Sequence, residues 1–293
     1  MKRIFKNSMR EIRRRSSSEE MISPDVEIRK YFETGPGLPI MGSCLLSGSS
    51  IYWGRSSGSS FVISEPLVFP FWEFIVGREK EIPQTELEEL IICYSNRSLR
   101  MLQMFTAEAS GRYKTTEDSF IQSLPRDYRE LSHLLRDPLV ENAFRRVGIS
   151  RANLNDELDF FSNYHAPAKQ IMHGCFRFRN LWFDAKGELF IVAGDDLVWG
   201  AELISYAALL ADLFDLCTSK MAAARRPLIS IFGQVLSNLS GDQEPILNRA
   251  VYLYVLAHHA QYIHTAQCRE PLSSLESATK ICTLGLLASI GAN

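Results

Sequence analysis

Apolar and polar positions alternate most clearly in two short runs, 181–183 and 189–192, which are separated by the turn residues Asp184, Ala185, Lys186 and Gly187. This pattern predicts a β-hairpin. The turn sets its register and the alternation buries one face, so polar residues at the strand ends are held in place. Runs at 51–53 and 61–64, divided by glycine and serine, predict a second hairpin. Residues 90–94 and 99–105 read as two further strands joined by Ser95, Asn96, Arg97 and Ser98.

Helical spacing governs much of the rest. Phe71, Trp72, Ile75 and Val76 predict a helix within 69–81, and 26–32 reads as a short helix ahead of the breaker run at 35–39. Beyond a polar linker at 111–116, the segments 117–124, 126–136, 138–147 and 154–164 read as helices, with Pro125, Pro138 and Pro167 as punctuation. Residues 201–217 are strongly apolar and helical. Helices at 222–239 and 245–264 follow, and the chain closes on an apolar stretch at 272–290. No internal repeat is visible.

Composition narrows the classes. With 293 residues, 46% of them hydrophobic and 23% charged, the chain has enough apolar material for one or two ordinary cores. A formal net charge of −2 gives no electrostatic case for nucleic acid as a partner. The six cysteines form no C-x-x-C pair and no zinc-like cluster, so reduced, mostly buried thiols are expected. No run is long and apolar enough for a spanning helix, and the start lacks the apolar core of a signal peptide; a cytoplasmic protein is the expectation. Residues 1–20 are basic and then serine-rich, and read as a flexible tail. The alternative there is a short basic amphipathic helix touching a membrane surface or an acidic partner. His258, His259 and His264 share a helix without the i,i+4 spacing of a ligand pair, and read as surface or satisfied core histidines.

Candidate chemistry centres on the predicted hairpin at 181–192. His173 and Gly174 precede it, Asn180 stands at its start, and Trp199 and Gly200 follow it. This spacing resembles the aminoglycoside phosphotransferase and choline kinase family, which reads H-G-D-x-x-x-x-N, a hairpin, then I-D-W and W-G-D-P. The resemblance implies an α+β, two-lobed protein kinase-like fold: a β-rich N-lobe at 21–108, a helical C-lobe at 109–293, and a hinge near Phe105, Thr106 and Ala107. It places a phosphate-covering loop at Ser47, Gly48, Ser49 and Ser50.

The departures from that pattern carry the functional reading. Cys175 stands at the position of the family's catalytic aspartate, and Ala193 at that of its metal-binding aspartate. Ser64 stands where the family pairs phosphate with a lysine or arginine. Those carboxylates orient the attacking hydroxyl and hold magnesium in phosphoryl transfer. Alanine does neither, and a thiol supplies no hard oxygen ligand. Ala201 and Ser205 stand where the family has an aspartate bracing the catalytic loop, so the brace is expected to be lost too. Cys175 could instead serve as a nucleophile activated by His173, Arg177 or Arg179, although no matching acid is evident. Arg177 and Arg179 themselves read as facing water or an anionic ligand.

His173 and Cys175 therefore mark catalytic positions without the catalytic group. Gly48, Ser49, Ser64, Asn180 and Ala193 mark the nucleotide-binding positions. The expectation is a pseudokinase that binds or regulates a protein, enzyme or peptide partner. The alternative is an atypical ATP-dependent phosphotransferase acting on a small hydroxylated or amino compound or a peptide. In it, Asn180 holds magnesium together with Asp195 or Asp196, since a two-residue slip of the strand would bring Asp195 to the place of Ala193.

Overall fold

The computed structural model describes residues 2–7, 10–14, 26–30, 43–47, 50–54, 60–62, 67–79, 81–112, 124–164, 170–184, 189–193, 197–219, 221–239, 242–266 and 272–291. Through residue 70, and across most of 182–197, this extends to the backbone only. Eleven strands and eleven α-helices occur among the described residues. The strands are β1 (Lys2–Asn7), β2 (Arg10–Arg14), β3 (Val26–Lys30), β4 (Ser43–Ser47), β5 (Ser50–Gly54), β6 (Ser60–Val62) and β7 (Leu67–Pro70), then β8 (Gln170–His173), β9 (Leu181–Asp184), β10 (Leu189–Ala193) and β11 (Leu197–Gly200). Helices α1 (Phe71–Arg78), α2 (Gln84–Arg112), α3 (Arg126–Leu134), α4 (Pro138–Arg146) and α5 (Arg151–Asn163) precede β8. Helices α6 (Leu203–Thr218), α7 (Arg225–Asn238), α8 (Glu244–Ala266), α9 (Leu272–Thr279), α10 (Ile281–Leu284) and α11 (Leu286–Gly291) follow β11.

The chain is α+β and mostly helical after residue 70. Its strands form a four-stranded sheet in the order β1-β2-β3-β6, a five-stranded sheet β5-β4-β10-β9-β7 and a two-stranded pair β11-β8. The predicted hairpin is present, with Leu189 opposite Phe183 and Ile191 opposite Leu181. It does not stay with the helical body alone: β10 pairs with β4, and β9 with β7. The five-stranded sheet is therefore assembled from two distant parts of the chain, which spacing within either part could not reveal.

Four local expectations are corrected. Residues 90–94 and 99–105 are not strands but belong to the single helix α2, so Phe105, Thr106 and Ala107 lie inside a helix instead of at a hinge. Leu87, Ile91, Ser95, Ser98, Leu102 and Phe105 are all buried, and their spacing follows helical turns. Ser95 and Ser98, taken for turn residues, sit on that buried face, and the Ser98 hydroxyl donates to the Tyr94 carbonyl at 2.7 Å. Val26–Lys30 is a strand, as the alternation of Val26 and Ile28 with Glu27 and Arg29 allows. Within 1–20, expected as a tail, β1 and β2 pair with each other, and β2 pairs with β3. The run at 51–53 lies in β5 and residues 61 and 62 lie in β6, but β5 pairs with β4 and β6 with β3; residues 63 and 64 lie outside the described residues.

The core lies between α6 and α8. Leu203 to Leu216 is buried on every side of α6, which explains an apolar run with no exposed stripe. Phe144 from α4, Leu131 from α3 and Phe105 from α2 close around this pair. No described helix is long and apolar enough to cross a membrane.

Local chemistry sets the ends of the surrounding helices. Asp137 caps α4 by accepting the Leu139 N–H at 2.8 Å, with Pro138 in the first turn, and Gly148 follows the helix at φ 81°. Ser150 caps α5 from Asn153 at 3.1 Å. Asp137 also binds His264, and that hydrogen bond, then the Leu139 N–H, holds its carboxyl below the usual carboxylate range. A depressed folded value means the cap's contribution is complete above the free carboxylate value and is lost as pH falls through the lower folded one. Asp137→Ala is expected to cost about 1 kcal/mol at neutral pH. Urea melts should show that difference shrinking as pH falls below the free carboxylate range.

Candidate functional site

The loop from His173 to Asn180 is held at both ends by sheet pairing. His173 ends β8 opposite Leu197 of β11, and Asn180 leads directly into β9. A turn at Gly174 and Cys175 and a single 3-10 turn at Phe178–Asn180 carry the chain between them. Nearly every described side chain in this loop points into the protein. His173 is fully buried between Phe105 and Phe176, with ring centroids 6.0 and 5.9 Å away. Its Nδ1 accepts the Cys175 N–H at 3.1 Å, which places the ring proton of the neutral form on Nε2. The Ser205 hydroxyl donates to the His173 carbonyl at 2.9 Å.

Cys175 and Asn180 come together as the spacing predicts. The Asn180 amide nitrogen donates to the Cys175 carbonyl at 2.5 Å and lies 3.5 Å from its sulfur. The thiol, however, does not lie alone. Its Sγ is 3.6 and 3.7 Å from the two oxygens of Asp127, at the start of α3. Both residues are buried.

Arg177 organises the rest. Expected to face water or an anionic ligand, it is instead 3% exposed. Its Nη1 meets Asp127 at 3.2 Å, its Nε meets Asp212 of α6 at 3.3 Å, and its Nη2 donates to the Tyr254 carbonyl at 3.0 Å. The Nε contact is close enough to be an ion pair yet poorly aligned as a hydrogen bond, and the charges themselves supply most of its attraction. Burial alone would lower the pKa of the guanidinium. Asp212 and then Asp127 outweigh that, with smaller contributions from Cys175 and Asp215, so the group is firmly protonated. The Arg179 side chain lies outside the described residues.

Asp212 corrects the expectation that the loop's brace is missing. Besides Arg177, it accepts the Phe178 backbone N–H at 2.7 Å and is fully buried. The bracing carboxylate thus comes from the middle of α6, one side of the Ala201 and Ser205 positions where the sequence was searched. One turn further along α6, Asp215 binds His258 and lies 3.6 Å from His259, both on α8. His258 is partly buried and His259 buried, and both face Asp215.

Sequence reasoning missed Asp127, Asp212 and Asp215. Asp212 and Asp215 did leave a signal, as the only charges in the apolar run 203–217. A charge kept in a buried helix needs a partner. Asp127 left none, because it sits among other charged residues in the sequence around α3.

The nucleotide positions are covered less fully. Gly48, Ser49, Ser64, Asp195 and Asp196 lie outside the described residues. Ala193 ends β10 opposite Cys44 of β4. Among the described residues, no group of three or more histidine, cysteine, aspartate or glutamate side chains is arranged to hold a metal ion. Asn180 is a poor magnesium site by itself, because the ion requires hard, usually charged oxygen ligands.

No family model matches the chain, and no curated protein matches it. Among solved structures it is similar to a glucosamine kinase (crystal form B), at 13% identity over 92% of this chain and 77% of that one, with a TM-score of 0.47. It is also similar to a glucosamine kinase in complex with glucosamine, ADP and inorganic phosphate, at 14% identity over 92% and 76% of the two chains, with a TM-score of 0.44. At these values neither likeness bears on function, and the site's own geometry has to carry the reading.

Proposed function

We propose that the chain is a kinase-like scaffold, in the manner of the aminoglycoside phosphotransferases, that acts by binding a protein or peptide partner in the cytoplasm and not by transferring phosphate. The observation that carries this reading is the environment of Cys175. Its sulfur faces Asp127 and Asn180 in the interior. A substrate hydroxyl would need a proton acceptor within hydrogen-bond reach. A buried thiol whose polar neighbours are already a carboxylate and an amide is not one. The carboxylate beside it is Asp127, and Arg177 holds that group from the other side.

The rest of the loop fits a retained framework. His173, Asn180, Ser205 and Asp212 each fix a backbone group of the loop. Such bracing keeps a surface in shape for a partner without requiring chemistry. Fold and reaction are separable, and function has to be argued from the reacting groups.

Calorimetry with ATP, with and without magnesium, tests the nucleotide part of this reading. Magnesium is expected to add no affinity for ATP. A magnesium-dependent gain that Asn180→Ala removes would show a working metal site and count against the proposal.

A further inference from the structure

Helix α3 carries four charged residues in its first five positions. Arg126, Asp127 and Glu130 are buried, and Arg129 is partly buried. Asp127 turns to the loop, where it meets Cys175 and Arg177. The Arg126 Nε donates to one Glu130 oxygen at 2.7 Å, and the other Glu130 oxygen accepts the Gln261 amide at 2.5 Å. Both oxygens of the carboxylate next to Arg129 are therefore already bonded. The Arg129 Nε is buried with no hydrogen-bond partner among the described residues.

A guanidinium taken out of water is costly without an anion beside it. Burial is the main influence lowering the Arg129 pKa, repulsion from Arg126 comes next, and the attraction of Glu130 is the smallest of the three. The group still stays protonated, because arginine starts so far above neutrality. Glu130 balances Arg126, so among these three residues one positive charge is left over. Arg129 shares its side of α3 with Ser132 and His133, which are exposed, so a group from outside can reach that side.

We propose that Arg129 recognises one carboxylate of the partner, an aspartate or glutamate side chain in an acidic peptide segment. This deepens the partner-binding function proposed above and rests on it. A carboxylate is a monoanion and cancels the single surplus charge, whereas a phosphate dianion would bring a second negative charge. Its two oxygens also match the fork of a guanidinium, in which Nε and an Nη donate side by side. No hydrogen bond holds the Arg129 Nε in place, so turning the fork toward a ligand breaks none there. Because Asp127 of the same helix touches the loop, a carboxylate bound at Arg129 holds the peptide beside the braced framework.

Fluorescence anisotropy of a labelled hexaglutamate peptide with the full chain, at fixed low ionic strength, tests this contact. The native chain should bind hexaglutamate and not hexaglutamine. Arg129→Gln should raise the dissociation constant about tenfold, the weight of one charge-assisted hydrogen bond. Arg146→Gln, which removes an exposed arginine of α4, should change it less than twofold. No binding of hexaglutamate, no loss in Arg129→Gln, or an equal loss in both variants overturns the proposal. Inorganic phosphate that displaces the peptide better than acetate does, at equal ionic strength, overturns the choice of a carboxylate. The Arg129 Nε–Hε resonance of the native chain decides the matter even if the variant fails to fold: it must move as hexaglutamate is added, and a resonance that stays put refutes the contact. A silent Arg129 refutes this site alone, whereas ATP turnover that Asn180→Ala abolishes refutes the binding function on which it rests.

Discussion

Cys175→Asp, the substitution that would rebuild the family's catalytic motif, is expected to destabilise the protein by about 3 kcal/mol at pH 7 and to leave phosphoryl transfer absent. The thiol is 3.6 Å from one Asp127 oxygen and 3.7 Å from the other. A carboxylate introduced there would face a second carboxylate in a buried site. Two such groups at this distance cannot both ionise cheaply, so one proton would be shared between them. The sign of the pH dependence follows. The pair's proton affinity is higher in the folded protein, so the loss is greatest at neutral and alkaline pH and shrinks as pH falls toward 5. Combining Cys175→Asp with Asp127→Asn should recover most of the stability, because a single carboxylate then faces Arg177. Urea melts of the two single variants and the double variant give the coupling directly. Additive effects would mean that the two side chains do not meet as described.

Arg177→Met is expected to cost about 3 to 5 kcal/mol, because it leaves Asp127 and Asp212 buried without their shared cation. Their side chains are 7% and 0% exposed, so water cannot replace the guanidinium. The loss should be felt beyond the ion pairs, since Asp212 also anchors the Phe178 N–H and Arg177 anchors the Tyr254 carbonyl. Arg177→Lys should rescue little. One ammonium on a flexible stem cannot reach two carboxylates and a carbonyl in the fork geometry of a guanidinium. Denaturant unfolding measures both variants. A cost under 1 kcal/mol for the methionine variant would place Arg177 at the surface, as its alternation with phenylalanine first suggests.

The sequence was most legible where one period dominated. The hairpin at β9 and β10, helices α3 to α5 and the buried α6 follow directly from alternation or helical spacing. It misled where small polar residues lay on a buried face. Ser95 and Ser98 broke the apolar pattern of α2 into two apparent strands, though a serine in a helix can satisfy its hydroxyl from the preceding turn. The joining of β9 and β10 to β4 and β7 was invisible for another reason: pairing between distant strands leaves no trace in local spacing.

The candidate site divides in the same way. His173, Cys175 and Asn180 were found because they lie within one short loop. Asp127 and Asp212 reach that loop from α3 and α6, while Asp215 meets His258 and His259 of α8, and only folding brings these groups together. The alternation of Arg177 and Arg179 with phenylalanines suggested guanidiniums on an open face. A buried position for Arg177 became reasonable only once two carboxylates were seen waiting for it.

Magnesium-dependent hydrolysis of ATP, followed as γ-phosphate release by the native chain over hours and compared with Asn180→Ala, tests most directly whether the loop has kept its frame and lost its chemistry. The two proteins should release phosphate at the same rate, indistinguishable from that of ATP and magnesium alone. Turnover by the native chain that Asn180→Ala abolishes would contradict the account.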